Sequence, residues 1–151
     1  GALSKGDSVV GAGLIDNINT GIKWAVDQGV DVINMSLGIK HEGGGLPHEE
    51  VINYALAKGV TIVAASGNDG TKDLYYPGAL PGVIAVGAVD MNDQIAGFST
   101  YGAHVSFVAP GAGIISSYPG NKYSMSSGTS SAARSILNAT VEVVIETPIA
   151  E

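Results

Sequence analysis

The stretch DNINTGIKWAVDQGVDVINM, residues 16–35, decides the fold class. Its first half sets Ile18, Ile22, Ala25 and Val26 at helical spacing, with Asp16 as the N-cap and Gly29 as the stop. Its second half, Val30-Asp31-Val32-Ile33-Asn34-Met35, is a short β-branched run that follows at once, as a strand does in a sheet covered by helices. The same order returns downstream. Residues 48–58 carry Pro47 ahead of the first turn, Glu49 and Glu50 where the helix dipole favours anions, Val51, Ile52, Ala55 and Leu56 on one face, and Gly59 after the end. Residues 60–65 form the strand that succeeds this helix. Residues 83–89 are a third buried strand, with Pro77 and Pro81 in the loop before it. Residues 105–109 and 113–117 are shorter strands near Pro110, while residues 141–146 alternate weakly and read as a helix end or a strand. Alternating helices and near-continuous apolar strands predict one α/β domain over residues 1–151, a mostly parallel sheet flanked by helices. In such sheets ligands collect at the carboxyl ends of the strands, where the loops after Met35, Ala65 and Val89 leave together.

Size and composition agree with a packed interior. A chain of 151 residues with 45% hydrophobic and 14% charged residues buries a real core. The apolar runs 60–65 and 83–89 fall far short of the roughly 20 residues of a membrane span, so no membrane association is expected. Fourteen acidic against seven basic residues give a net charge of -7 and leave no basic stripe for nucleic acid. Without cysteine there is no disulfide, no thiol nucleophile and no thiolate zinc site. The chain opens on Gly1-Ala2-Leu3, without a basic segment leading into an apolar one. It is therefore expected to be a mature product, a fragment, or a protein made without a secretory signal.

Two short motifs carry the chemistry. Ser127-Gly128-Thr129-Ser130 puts a hydroxyl after a glycine turn and at the start of a helix. Ala65-Ser66-Gly67-Asn68 presents a side-chain amide just past the strand 60–65. A serine hydroxyl becomes a nucleophile when a neighbouring base takes its proton, and the oxyanion formed on attack needs preorganised donors. Ser130 offers the hydroxyl and its own backbone N–H, Gly128 permits close substrate approach, and Asn68 is suited to give the second hydrogen bond. Acyl transfer at serine is the reaction class this pair fits, whereas either motif alone reads as a polar loop with a helix cap.

The wider order of motifs is more specific. Asp31-Val32-Ile33-Asn34-Met35-Ser36-Leu37-Gly38, Val63-Ala64-Ala65-Ser66-Gly67-Asn68, Tyr76-Pro77-Gly78, Val83-Ile84-Ala85-Val86-Gly87-Ala88-Val89-Asp90, Phe98-Ser99, Ala109-Pro110-Gly111 and Ser127-Gly128-Thr129-Ser130 follow one another. From about residue 21 to residue 133 the chain resembles the subtilisin-like serine proteases. The resemblance implies a catalytic Ser130, an oxyanion donor in Asn68, and an extended polypeptide substrate along Ser36-Leu37-Gly38. Ala65-Ser66-Gly67 would form the other wall of the pocket for the residue preceding the scissile bond, Gly128 and Thr129 would border it beside the nucleophile, and Tyr75 would lie at its floor and favour small or medium side chains. Carbonyls around Gly78, Leu80 and Val83 correspond to a region where some relatives hold a structural calcium, whereas Asp90, Asn92 and Asp93 read as a solvated turn. The chemistry itself requires no cofactor. Such proteases are mostly secreted, so extracellular work is expected, with an intracellular protein as the alternative.

The resemblance also has gaps. The family's catalytic aspartate and histidine motifs do not occur in this chain. His41, His48 and His104 each read as solvated loop residues, and the spacing does not support a replacement dyad built from His48 with Glu42 or Asp69. After Ser130 the family continues into a small-residue run and a long apolar helix, where Arg134 and Ser135 stand instead, as though some residues were missing after Ala133. The expectation is the serine-bearing part of an incomplete subtilisin-like catalytic domain, inert alone, with the base on a separate segment or chain and a pro-segment as inhibitory partner. The alternatives are a catalytically inactive relative that binds peptide or pro-segment, and an α/β ligand-binding domain that matches by chance.

Overall fold

The computed structural model describes residues 8–41, 43–111, 114–118, 122–126, 128–129, 132–133 and 142–146. Helix α1, Ser8–Asp27, leads into strand β1, Val32–Ser36, and helix α2, Glu49–Ala57, leads into β3, Thr61–Ala65. Between these pairs lies the two-residue strand β2, Ile39–Lys40; after them come β4, Tyr75–Tyr76, and β5, Ile84–Val89. The remaining strands are β6, Phe107–Pro110, β7, Ile114–Tyr118, β8, Lys122–Ser126, and β9, Glu142–Glu146. The main sheet runs β6-β5-β3-β1-β9, and every pairing in it is parallel. Thus residues 142–146 of the ambiguous segment are a strand, settled by their register along β1 from Val32↔Glu142 to Ser36↔Glu146. Two antiparallel pairs, β2·β4 and β7·β8, stand apart from it.

The apolar pattern explains the layers. Ile18, Ile22, Ala25 and Val26 of α1 and Ile52 and Ala55 of α2 are buried against Ile33, Met35, Ile62 and Ala64 of one sheet face. The other face carries Val63, Val86, Ala88 and Ala109, which pack with Ala132 and Ala133. Gly29 and Gly59 end the two helices with φ of 82° and 80°, a region where a Cβ is penalised. Two boundaries differ most from expectation: the strand expected over 105–109 is Phe107–Pro110, and Asp16 sits inside α1 and not at its start. Its carboxylate falls on the solvent side, and Ile15 carries the apolar stripe back another turn towards Ile18. No helix among the described residues is long and apolar enough to cross a membrane.

Candidate active site

Because β1, β3 and β5 are parallel, their following loops leave from one edge of the sheet. Ser36, at the end of β1, runs into Leu37-Gly38; Ala65, at the end of β3, runs into Ser66-Gly67-Asn68. These two segments are opposite walls of a cavity of about 300 Å³ that Thr129 and Tyr75 also line. Larger hollows of about 580 and 480 Å³ lie among α1, α2 and the loop before α2, and neither contains a residue of the ordered motifs. The smaller cavity is where the motif residues converge.

Thr129 ties the two motifs together. Its backbone N–H donates to Asn68 Oδ1 at 2.8 Å and its hydroxyl to the same oxygen at 2.9 Å, while Gly67 N–H donates to Thr129 Oγ1 at 3.1 Å. Thr129 is fully buried, so these bonds form away from water. With Oδ1 taken twice, the Asn68 amide has its Nδ2 left as the donor end. Ser66 is set further in: its hydroxyl donates to Thr100 O at 3.1 Å and Thr100 N–H returns to Gly67 O at 2.9 Å. Ser66 thus braces the wall from behind and does not line the cavity. Gly128 N–H reaches Gly111 O at 2.7 Å, which anchors the serine motif to the end of β6. Gly128 O in turn accepts from Ala132 N–H at 3.3 Å, the spacing of a first helical turn, and Thr129, Ala132 and Ala133 are helical. Ser130 and Ser127 lie outside the described residues, as do Glu42, Arg134 and Ser135.

Tyr75 lines the cavity between the two glycines of its walls, Gly38 and Gly67. A Cβ added at Gly67 would stand 2.5 Å from Tyr75 Cδ2 and 2.6 Å from Thr100 Oγ1, and one at Gly38 would stand 3.3 Å from Tyr75 Cβ. Only glycine admits the ring between the walls at Gly67, whose φ of 118° also excludes most side chains. The phenol donates to Asp69 Oδ2 at 2.9 Å, and Lys40 Nζ pairs with that oxygen at 2.9 Å and with Asp73 at 2.9 Å. Asp69 Oδ1 accepts from Thr71 Oγ1 at 2.7 Å and Thr100 Oγ1 at 3.2 Å. Lys40, the first cause, and the Thr71 and Tyr75 hydroxyls hold the Asp69 carboxyl well below the usual carboxylate range. Bonds to Asp73 and Asp69 push the Lys40 ammonium up. Lys40, Asp69 and Thr100 carry no motif of their own. The only sequence signals are that Asp69 adjoins Asn68 and Lys40 stands two residues past Gly38.

The histidines divide. His41 is exposed and edge-on to the Tyr76 ring at 6.2 Å, as a solvated loop residue would be. His48 is not: it is 4% exposed, takes φ of 66° at the N-cap of α2, and sets Nδ1 2.6 Å from Asn19 Oδ1 of α1. Loss of solvent lowers its pKa. His104 is half-buried, with Nε2 unpartnered and its pKa likewise lowered by burial. Both corrections have one cause, since the short loops that carry these residues fold back onto the body of the protein.

The calcium expectation meets a poor donor set. Gly78, Leu80 and Val83 are buried, the intervening loop contains no carboxylate, and the Leu80 carbonyl already accepts from Val83 N–H at 3.2 Å. Calcium sites draw on six to eight oxygens, carboxylates and backbone carbonyls among them, and this loop would offer carbonyls alone. Asp90 Oδ1 accepts from Asn92 N–H at 2.8 Å and Gln94 N–H at 3.1 Å, which makes that segment a turn. Among the described residues no group of three His, Cys, Asp or Glu could hold a metal.

Comparison with known proteins places this geometry. Subtilisin BL of Lederbergia lenta is 41% identical over 138 residues, 91% of this chain and 51% of the relative. Alkaline elastase YaB of Bacillus sp. (strain YaB) is 44% identical over 122 residues, 81% of this chain and 32% of the relative. The chain thus spans between a third and a half of these relatives. Among solved structures, the self-cleaved protease domain of PatA superposes with a TM-score of 0.73 at 34% identity, over 79% of this chain and 47% of that one. A cold adapted subtilisin-like serine proteinase superposes with a TM-score of 0.72 at 28% identity, over 79% of this chain and 44% of that one. The model of the Subtilase family matches residues 8–142, and the chain belongs to that family.

Proposed function

We propose that this chain is the serine-bearing part of a subtilisin-like endopeptidase that cleaves polypeptides through an acyl-enzyme at Ser130. The observation that carries the reading is the double hydrogen bond from Thr129, the residue before Ser130, to Asn68 Oδ1. It orients the amide as a donor beside a cavity whose walls are two sheet-edge segments. A substrate strand would lie along Ser36-Leu37-Gly38, with the side chain preceding the scissile bond between that segment and Ala65 and Gly67, which Ser66 braces from behind. Ser130 Oγ adds to the scissile carbonyl carbon while a base on a separate segment takes its proton. The carbonyl oxygen becomes an oxyanion that accepts from Asn68 Nδ2 and from the Ser130 N–H, at the N-terminal end of a helix. Collapse breaks the C–N bond, the base returns the proton to the leaving amine, and water then releases the acyl group from Ser130. Tyr75 shortens the pocket and favours small or medium side chains. A pro-segment is the expected inhibitory partner, and the enzyme works outside the cell. The test is peptide hydrolysis by the whole protease that contains this chain: Ser130→Ala abolishes it, and undiminished hydrolysis in that variant overturns the reading.

A further inference from the structure

The end of the pocket is built from more charge than the fold needs. Asp69 lines the cavity from the loop past Asn68, and Lys40 stands outside it in β2, two residues past Gly38 of the facing segment. They meet over Tyr75. Lys40 is the register partner of Tyr75 in the β2·β4 pair, and its ammonium stands 5.6 Å from the centre of the phenol ring. The ring is therefore held at its hydroxyl by Asp69, over one face by Lys40, and at its edges by the two glycine positions. An ion pair this exposed adds little to stability. Its geometric effect is larger, because the Tyr75 ring cannot swing out of the cavity without breaking the bond to Asp69.

We propose that Lys40 and Asp69 are positioning residues for specificity: they latch Tyr75 across the pocket, so that the enzyme cuts after small, uncharged side chains. The two act differently. Asp69 fixes the ring and so excludes large side chains. Lys40 neutralises Asp69, so that the pocket end does not attract a basic side chain; without it the carboxylate faces the cavity with uncharged partners, the Thr71, Tyr75 and Thr100 hydroxyls and the Thr71 N–H.

This inference rests on the protease reading, and its test keeps the two apart. In the whole protease, kcat/KM is measured for three peptides that differ only in alanine, phenylalanine or lysine before the scissile bond. Asp69→Ala should raise the phenylalanine-to-alanine ratio about tenfold, on the scale by which pocket size discriminates. Lys40→Met should raise the lysine-to-alanine ratio about tenfold, through one newly unpaired charge, and Lys40→Arg should restore the original ratio. A purely structural role would lower all three rates together and leave the ratios alone, so ratios within about twofold of wild type in both variants overturn the latch while the protease reading stands. Tyr75→Phe, which keeps the ring and removes only its bond to Asp69, serves if the alanine variant does not fold, with the same rise in the phenylalanine-to-alanine ratio expected. If the wild-type enzyme cuts none of the peptides, the protease reading fails by itself. NMR relaxation of the Tyr75 ring then decides the latch: an ordered ring released by Asp69→Ala supports it, and an unchanged ring overturns it.

Discussion

On the face of the sheet covered by α1 and α2, order comes from apolar area: Ile22, Ile33, Ile52 and Ile62 are each fully buried and interchangeable in kind. At the carboxyl edge it comes from a handful of directed contacts, chiefly Thr129 to Asn68, Gly67 to Thr129, and the Tyr75 ring against Gly67. Removing area from the first region weakens the whole fold in proportion to the cavity left. Removing one atom from the second changes what the site can do and leaves most of the fold intact. Stability and chemistry are therefore separable by mutation in this molecule.

The largest effect expected is on the helix-covered face. Ile52→Ala, at a fully buried position, should lower the unfolding free energy by about 2–5 kcal/mol, read by denaturant titration. If it cost as little as a surface change, the comparison would break at its stronger side. Asn68→Ala should lower kcat about 10²- to 10³-fold, roughly 2.7–4 kcal/mol of barrier, a magnitude taken from the same substitution in a subtilisin and not from this geometry. Asn68→Ala also leaves the buried Thr129 N–H without its acceptor, so a stability loss of about 1–3 kcal/mol should accompany the loss of kcat; an unchanged melting temperature would show that water replaces the amide there. Thr129→Val keeps the shape but leaves the buried Gly67 N–H without its acceptor, which should cost about 1–3 kcal/mol and also reduce kcat. That variant belongs partly to each region and so sharpens the boundary between them.

The smallest effect concerns pH. Burial lowers the His48 pKa below its ordinary value of about 6.5, so the unfolded chain binds this proton more readily. Its contribution is fully present above about pH 6.5 and is lost as pH falls from there towards the lowered folded value. His48→Asn tolerates the positive φ and does not titrate, so the fall in stability between pH 7 and pH 5 should flatten. His104, shifted the same way, should leave part of the slope in place. An unchanged slope would remove His48 from the account.

The parallel sheet was legible because each of its long strands is a β-branched run that follows a glycine or a loop, and both helices carry their apolar residues at helical spacing. The pairs β2·β4 and β7·β8 were less so. Ile39-Lys40 and Tyr75-Tyr76 are strands only because they meet across 35 residues, and in Lys122–Ser126 the alternation rests on two residues alone, Tyr123 and Met125. The pocket walls could be named from the ordered motifs, since each wall is a contiguous segment. The side-chain bonds across it could not: Thr129 and Asn68 are 61 residues apart, and Lys40 meets Asp69 only after the walls are in place. His48 was misread for a similar reason, since its burial depends on Asn19 in α1.

The central claim is that Ser130 is a nucleophile with its oxyanion donor in this chain and its base elsewhere. Fluorophosphonate labelling, located by mass spectrometry, tests it in two preparations, the whole protease and this chain alone. Rapid labelling at Ser130 in the whole protease, with little or none in the isolated chain, is the predicted result. Equal labelling of both would contradict the claim that the base lies elsewhere, and no labelling of Ser130 in the whole protease would contradict the claim that it is the nucleophile.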